Sequence, residues 1–121
     1  MTIYITHESV HVGLVLNPAT SVASVEAVLD VVDIVVVMLV SPGWGGPKNV
    51  EAALRKVADI RDACAKRGFV LPHIEVDGGV TAADAPDFIA AGANVIVAGG
   101  AIFKSSDKED VIRALKVGPP Q

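Results

Sequence analysis

Cysteine occurs once in the 121 residues, at Cys64, so an intramolecular disulfide framework is excluded and a reducing compartment suits the chain. Aromatic residues are scarce at 4 %, so the 51 % apolar content is aliphatic, the composition of strands buried on both faces of a helix-covered parallel sheet. Basic residues are outnumbered, ten against fourteen acidic ones. The resulting net charge of −4 and pI near 5.2 argue against a non-specific nucleic-acid binder and against a basic protein of the membrane surface. No apolar run approaches the ~18 to 20 residues of a membrane span. The densest run, Val31 to Val40, carries Asp33 and stops at Ser41-Pro42-Gly43, which suits a core strand. Met1-Thr2-Ile3-Tyr4 has neither the charged region nor the long apolar region of a signal peptide. The expectation is a soluble cytoplasmic protein, although a processed organelle protein would look the same. A mean hydropathy of +0.51 excludes intrinsic disorder, and the length fits one domain over residues 1–121.

Four apolar runs end in glycine, proline or polar turns and read as strands: Val12–Leu16, Ile34–Val40, His73–Val76 and Asn94–Ala98. Each precedes a segment with helical spacing. Val22, Val25 and Leu29 follow the first. The second leads to the longest helix expected, Val50 to Arg67, with Leu54, Val57, Ile60 or Arg61 and Cys64 on one stripe and Gly68 as its stop. Cys64 there reads as a small core side chain. The third helix is expected to start at Thr81, with Asp84 three positions on in a variant capping box, and to close at Gly92. The fourth opens on Ser106-Asp107-Lys108-Glu109, with Val111, Ile112 and Leu115 facing inward. Alternating strands and helices imply a parallel sheet, either open and doubly wound or part of a (β/α)8 barrel. A whole barrel needs at least about 200 residues, so this chain supplies half of one. Ile3-Tyr4-Ile5-Thr6 reads as a short extra strand. Only about five residues separate it from Val12, too few for a parallel crossover of roughly a dozen. It is thus an antiparallel partner, an arm to another chain, or a remnant without its helix.

Ligand sites in parallel α/β folds lie beyond the carboxyl ends of the strands. Those ends read Asn17-Pro18, Ser41-Pro42-Gly43-Trp44-Gly45-Gly46, Asp77-Gly78-Gly79 and Gly99-Gly100, and they hold seven of the eleven glycines. Successive glycine N–H groups beside helix starts form an anion-binding nest, which points to a phosphate cradle built from backbone. Tight strand-to-helix turns would use glycine in the same way. Asp77 ends an apolar strand directly before paired glycines, a place for a general acid/base or a metal ligand, or for a carboxylate that bonds its own turn. Glu75 shares its face of the strand and reads as a structural charge. His7, His11 and His73 form no clear metal set. Met38, near a carboxyl end, can line a pocket or pack in the core, and Lys104 can reach an anion or stand in solvent.

Together these segments resemble the ribulose-phosphate 3-epimerases. Val12-Gly13-Leu14-Val15-Leu16-Asn17-Pro18-Ala19-Thr20 is similar to that family's fifth strand and turn. Val37-Met38-Leu39-Val40-Ser41-Pro42-Gly43-Trp44-Gly45-Gly46 resembles M-x-V-x-P-G-F-G-G-Q. Ile74-Glu75-Val76-Asp77-Gly78-Gly79-Val80 matches I-E-V-D-G-G-V, and Val97-Ala98-Gly99-Gly100-Ala101-Ile102-Phe103 is similar to V-A-G-S-A-I-F. The resemblance covers about residues 12 to 116. It implies strands five to eight of a (β/α)8 barrel that interconverts ribulose 5-phosphate and xylulose 5-phosphate. It further implies that Asp77 is one of two acid/base aspartates and a ligand of a divalent metal (zinc, iron, manganese or cobalt). Gly43, Gly45, Gly46, Gly78, Gly79, Gly99 and Gly100 would hold the phosphate, and Met38 would line the substrate.

The chain departs from the pattern with Trp44 for phenylalanine, Pro47 for glutamine and Gly100 for serine. The family's first three strands, which carry the other aspartate and both metal-binding histidines, have no counterpart in these residues. An isolated half-barrel exposes two sheet edges and an apolar interior, so a homo-oligomer that covers them is expected. The rival expectation is a catalytically silent sugar-phosphate-binding half-barrel or scaffold module. An aldolase or decarboxylase relative is disfavoured by the Pro42–Gly46 segment.

Overall fold

The computed structural model describes residues 10–116. The expected extra strand at Ile3–Thr6 lies outside them. Four parallel strands, β1 (Gly13–Leu16), β2 (Ile34–Met38), β3 (His73–Asp77) and β4 (Val95–Ile96), lie in the order β1-β2-β3-β4, with β1 and β4 at the edges of an unclosed sheet. Sequential parallel order is what a barrel segment requires, and it removes the doubly wound alternative, in which the order reverses at a switch point.

Register explains the pattern of apolar residues. Leu16, Val37, Val76 and Ile96 form one row across the sheet, and Leu14, Val35 and Ile74 the row below. Leu16, Val35, Val37, Ile74 and Val76 are fully buried there. Each such side chain contributes about 1.5–3 kcal/mol relative to exposure. Against this face pack Val57, Ile60 and Cys64 of α1 (Val50–Arg67) and Phe88 of α2 (Ala85–Ala91). The alternate rows, Gly13-Ile34-His73, Val15-Val36-Glu75-Val95 and Met38-Asp77, form the opposite face. Among the described residues no helix covers them, and Val15 is 55 % exposed beside the fully buried Leu16.

The α1 bounds match the expectation. Asn49 caps the helix by accepting from the Ala52 N–H at 3.0 Å, and Gly68 ends it in the left-handed region at φ 69°. Elsewhere the local forms differ. The segment after β1 is not an α-helix but two 3-10 turns, Val22–Ser24 and Glu26–Val28. Val22 and Leu29 still bury there. Clustered β-branched valines and the Ser24 hydroxyl, which donates to the Ser21 carbonyl at 2.7 Å, favour the short form. β2 stops at Met38 rather than Val40, because the chain turns into the glycine loop through a Ser41–Gly45 bridge.

α2 begins at Ala85 rather than Thr81. The Thr81 hydroxyl does not cap a backbone N–H. It donates to Asp84 Oδ2 at 2.7 Å, and the Thr81 N–H donates to the same oxygen at 2.9 Å. A one-turn helix unforeseen in the sequence, α3 (Gly100–Phe103), precedes α4 (Lys108–Lys116). α4 is capped by Asp107, which accepts from the Asp110 N–H at 2.9 Å, and not by Ser106. Leu115 buries as expected, whereas Ile112 is 38 % exposed and borders a groove of about 430 Å³ beside β4.

At the amino ends of the strands, Asp33 ties three elements together. Its carboxylate accepts from the Val12 N–H at 2.7 Å, its own N–H donates to the Val12 carbonyl, and its carbonyl accepts from the His73 N–H.

Candidate functional site

β2, β3 and β4 are neighbours and parallel, so their carboxyl ends emerge along one edge of the sheet. This juxtaposes the three glycine-bearing turns predicted as a cradle. Gly43, Gly45, Gly46, Gly78 and Gly79 all have φ between +66° and +114°, the left-handed region that side-chain-bearing residues rarely adopt. Gly99 does not, at φ −96°; it leads into α3, and its carbonyl accepts from the Ile102 and Phe103 N–H groups. The first-turn N–H groups of a helix lack intrahelical acceptors. Gly99 and Gly100 thus differ from the other five: they open a helix turn rather than form a left-handed nest.

Gly78 is where two turns meet most closely. A Cβ built on it would stand 3.1 Å from the Val40 backbone nitrogen and 3.2 Å from that of Leu39. The Leu39 N–H donates to the Asp77 carbonyl at 2.7 Å, which holds the β2 and β3 exits in register.

Asp77 ends β3 on the helix-free face, half-buried, with Met38 as its register partner on β2. Glu75 lies one row deeper between Val36 and Val95. A carboxylate and a thioether therefore stand side by side at the rim of the glycine turns. Trp44, at 90 % exposure, projects from the first of these turns. The expected metal requires more than Asp77, since zinc sites take four ligands. Among the described residues no group of three or more His, Cys, Asp or Glu side chains could hold an ion. These residues alone do not make a metal site, and the chemistry open to Asp77 is that of its carboxylate. His73 sits at the far end of β3, where its Nδ1 pairs with the Asn94 amide at 3.2 Å.

Two lysines that the sequence did not single out sit at this rim. Lys56 of α1 donates from Nζ to the Asn17 and Pro18 carbonyls at 2.7 and 2.6 Å, fixing the turn after β1. Its burial lowers the ammonium below its ordinary pKa. Lys48 donates to Asp84 Oδ2 at 2.5 Å and to the Gly79 carbonyl at 3.3 Å, joining the β2 and β3 turns. The signal for Lys56 was its place beside Val57 on α1, whose amino end must meet the carboxyl ends of the strands. Lys48 had no comparable signal.

Burial pushes the Asp84 carboxyl up, but the Lys48 ammonium and the Thr81 hydroxyl and N–H outweigh it and hold the group below 3.8. A carboxylate with a depressed folded pKa stabilises the fold above its unfolded pKa and loses that contribution as pH falls through the folded one. Urea midpoints should therefore keep the Asp84 contribution at neutral pH and lose it as pH drops below 3.8. Asp84→Asn should flatten that part of the acid slope, and an unchanged slope would contradict the assignment.

The sequence comparisons bear directly on this edge. The model of the "Ribulose-phosphate 3 epimerase family" matches residues 2–103. The chain belongs to this family. Among relatives, it is 49 % identical over 104 residues to the chloroplastic ribulose-5-phosphate-3-epimerase of Arabidopsis thaliana, covering 86 % of this chain and 37 % of that protein. It is 40 % identical over 112 residues to the ribulose-phosphate 3-epimerase of Bacillus subtilis, covering 93 % and 52 %. Against the Escherichia coli K12 protein of the same name the identity is 38 %, covering 86 % and 46 %. The chain thus spans about half or less of the length of these epimerase relatives. The open four-stranded sheet agrees with a part of a TIM-type barrel. No helix among the described residues is long and apolar enough to cross a membrane.

Proposed function

We propose that this chain is the phosphate-gripping, single-acid half of a 3-epimerase barrel for D-ribulose 5-phosphate and D-xylulose 5-phosphate. The observation that supports it best is the register of Asp77 with Met38 on the open face, one residue before the Gly78-Gly79 turn. Backbone N–H groups at Gly43, Gly45, Gly46, Gly78 and Gly79, together with the Gly99-Gly100 turn, receive the phosphate, so an acidic protein needs no basic cluster there. Met38 lines the sugar. The Asp77 carboxylate takes the proton from C3, and the C–H electron pair moves into the C2–C3 bond as the C2 carbonyl oxygen becomes an enediolate oxygen. Return of a proton to the opposite face of C3 inverts the centre.

That second proton needs an acid across the cavity, on whatever covers the open face. Four strands whose outer edges have no partner among the described residues, and the apolar Val15, Val36 and Val95 on that face, favour a second copy of this chain, whose own Asp77 would then enter the same cavity. The single thiol, Cys64, free and buried, suits a cytoplasmic or organelle setting.

Calorimetric titration with ribulose 5-phosphate should give saturable binding that inorganic phosphate competes, and sedimentation should give a dimer or larger assembly. A monomer that binds neither ligand would overturn this reading. A second reading, a binding module without turnover, draws on the absence of a three-ligand metal cluster among the described residues. It predicts the same binding with no epimerisation.

A further inference from the structure

Two glycine turns that receive one ligand must hold a fixed separation, yet glycine loses more conformational freedom on ordering than any other residue. Something other than the turns has to set their spacing. On the β2 side, Pro47 follows Gly46 with its φ fixed by the ring. Two residues on, the Asn49 N–H donates to the Leu39 carbonyl at 2.9 Å, while its side chain caps α1. On the β3 side, one oxygen, Asp84 Oδ2, accepts from both the Thr81 N–H and the Thr81 hydroxyl. Lys48 closes the gap between these two anchored ends. Its ammonium reaches Asp84 Oδ2 across 36 positions of sequence and the Gly79 carbonyl across 31. The Asp84 side chain is 15 % exposed and that of Lys48 33 %, so the pair is partly shielded from solvent screening on the carboxylate side. A Cβ built on Gly79 would meet nothing within 4 Å, so the space beside this turn is open.

We infer that Lys48 is a positioning residue: bonded to Asp84 and to the Gly79 carbonyl, it clasps the β2 and β3 turns at the separation the phosphate group needs. This rests on the phosphate-binding reading above. Lys48 acts through the loops, and pre-organisation of this kind raises affinity by lowering the ordering cost of binding.

The test uses the full chain in four forms: wild type, Lys48→Met, Asp84→Asn and the double variant, with Lys48→Arg as rescue. Two readouts are taken, calorimetric affinity for inorganic phosphate and for ribulose 5-phosphate, and backbone hydrogen exchange without ligand. Lys48→Met should weaken both affinities by about tenfold, because binding must then supply the ordering of the two turns. Asp84→Asn should act similarly, and the double variant should be no weaker than the worse single one, as for two members of one interaction. Lys48→Arg keeps a charged donor and should recover most of the affinity. Exchange at the Asn49 and Thr81 amides, one on each turn, should quicken together in Lys48→Met.

A Lys48→Met protein that melts earlier but binds both ligands as the wild type does would overturn the inference, because a merely structural lysine behaves so. If the wild type binds neither ligand, the phosphate reading fails separately. Exchange then decides the clasp: joint acceleration at Asn49 and Thr81 upholds it, and unchanged rates at both refute it.

Discussion

Replacing Asp77 by asparagine is expected to lower epimerase turnover by about 10³-fold while leaving the affinity for ribulose 5-phosphate within a few-fold of wild type, since a positioned acid/base contributes 10²–10⁴. The asymmetry follows from the site. Asparagine is nearly isosteric with aspartate and keeps a polar group at the end of β3, beside Met38 and before Gly78. It cannot accept the C3 proton. The glycine turns proposed to receive the phosphate belong to backbone that this substitution does not touch. Removal of an interaction made only during proton transfer lowers kcat, whereas removal of a binding group raises KM. A large rise in KM with kcat preserved would assign Asp77 to binding and leave the proton transfer to another group. The experiment requires the assembled protein, and turnover at wild-type level in the variant would end the proposed mechanism.

Gly78→Ala should be the most damaging single-methyl change at the site, destabilising the fold by about 3 kcal/mol, where strained backbone and overpacking each cost roughly 1–3. Gly78 stands at φ +114°, and its new Cβ would press on the backbone nitrogens of Val40 and Leu39. Neither can yield cheaply. The Leu39 N–H is committed to the Asp77 carbonyl at 2.7 Å, so relief of the clash pulls the β2 and β3 exits apart. Gly79→Ala supplies the comparison, because its φ is +77° but nothing lies within 4 Å of the added carbon. Its cost is the left-handed backbone alone, about 1–2 kcal/mol. Urea midpoints measured at constant m-value separate the two. Equal losses would mean that the close approach of Gly78 to β2 does not constrain the fold.

The strands and the long helix were legible because their causes are local. Alternation of Leu14, Leu16, Val35, Val37, Ile74 and Val76 with less buried neighbours has the period of a strand, and register carried it across the sheet without a slip. Glycines at the strand exits signalled tight turns or an anion nest, and five of the seven candidate glycines stand in the left-handed region. The misses share a different cause. Val22, Val25 and Leu29 have helical spacing, but spacing reports which residues bury and does not distinguish an α-turn from a 3-10 turn. Thr81 and Asp84 were recognised as a pair. Their roles were reversed, because the carboxylate, held by Lys48, draws the hydroxyl toward itself.

The residues in order along the chain were therefore enough to determine alternating parallel strands and helices, the buried face, the glycine turns and the place of Asp77 at the rim, while the sequential strand order of a barrel segment came from the sheet itself. Each depends on backbone preference or on neighbours a few positions apart. Tertiary structure alone decided that Lys48 bonds Asp84 and Gly79, that Lys56 secures the turn after β1, and that Gly78 backs onto Leu39 and Val40. Those partners lie more than thirty positions apart. Their meeting depends on which strands become neighbours, a property of the assembled sheet that no local pattern in the sequence encodes.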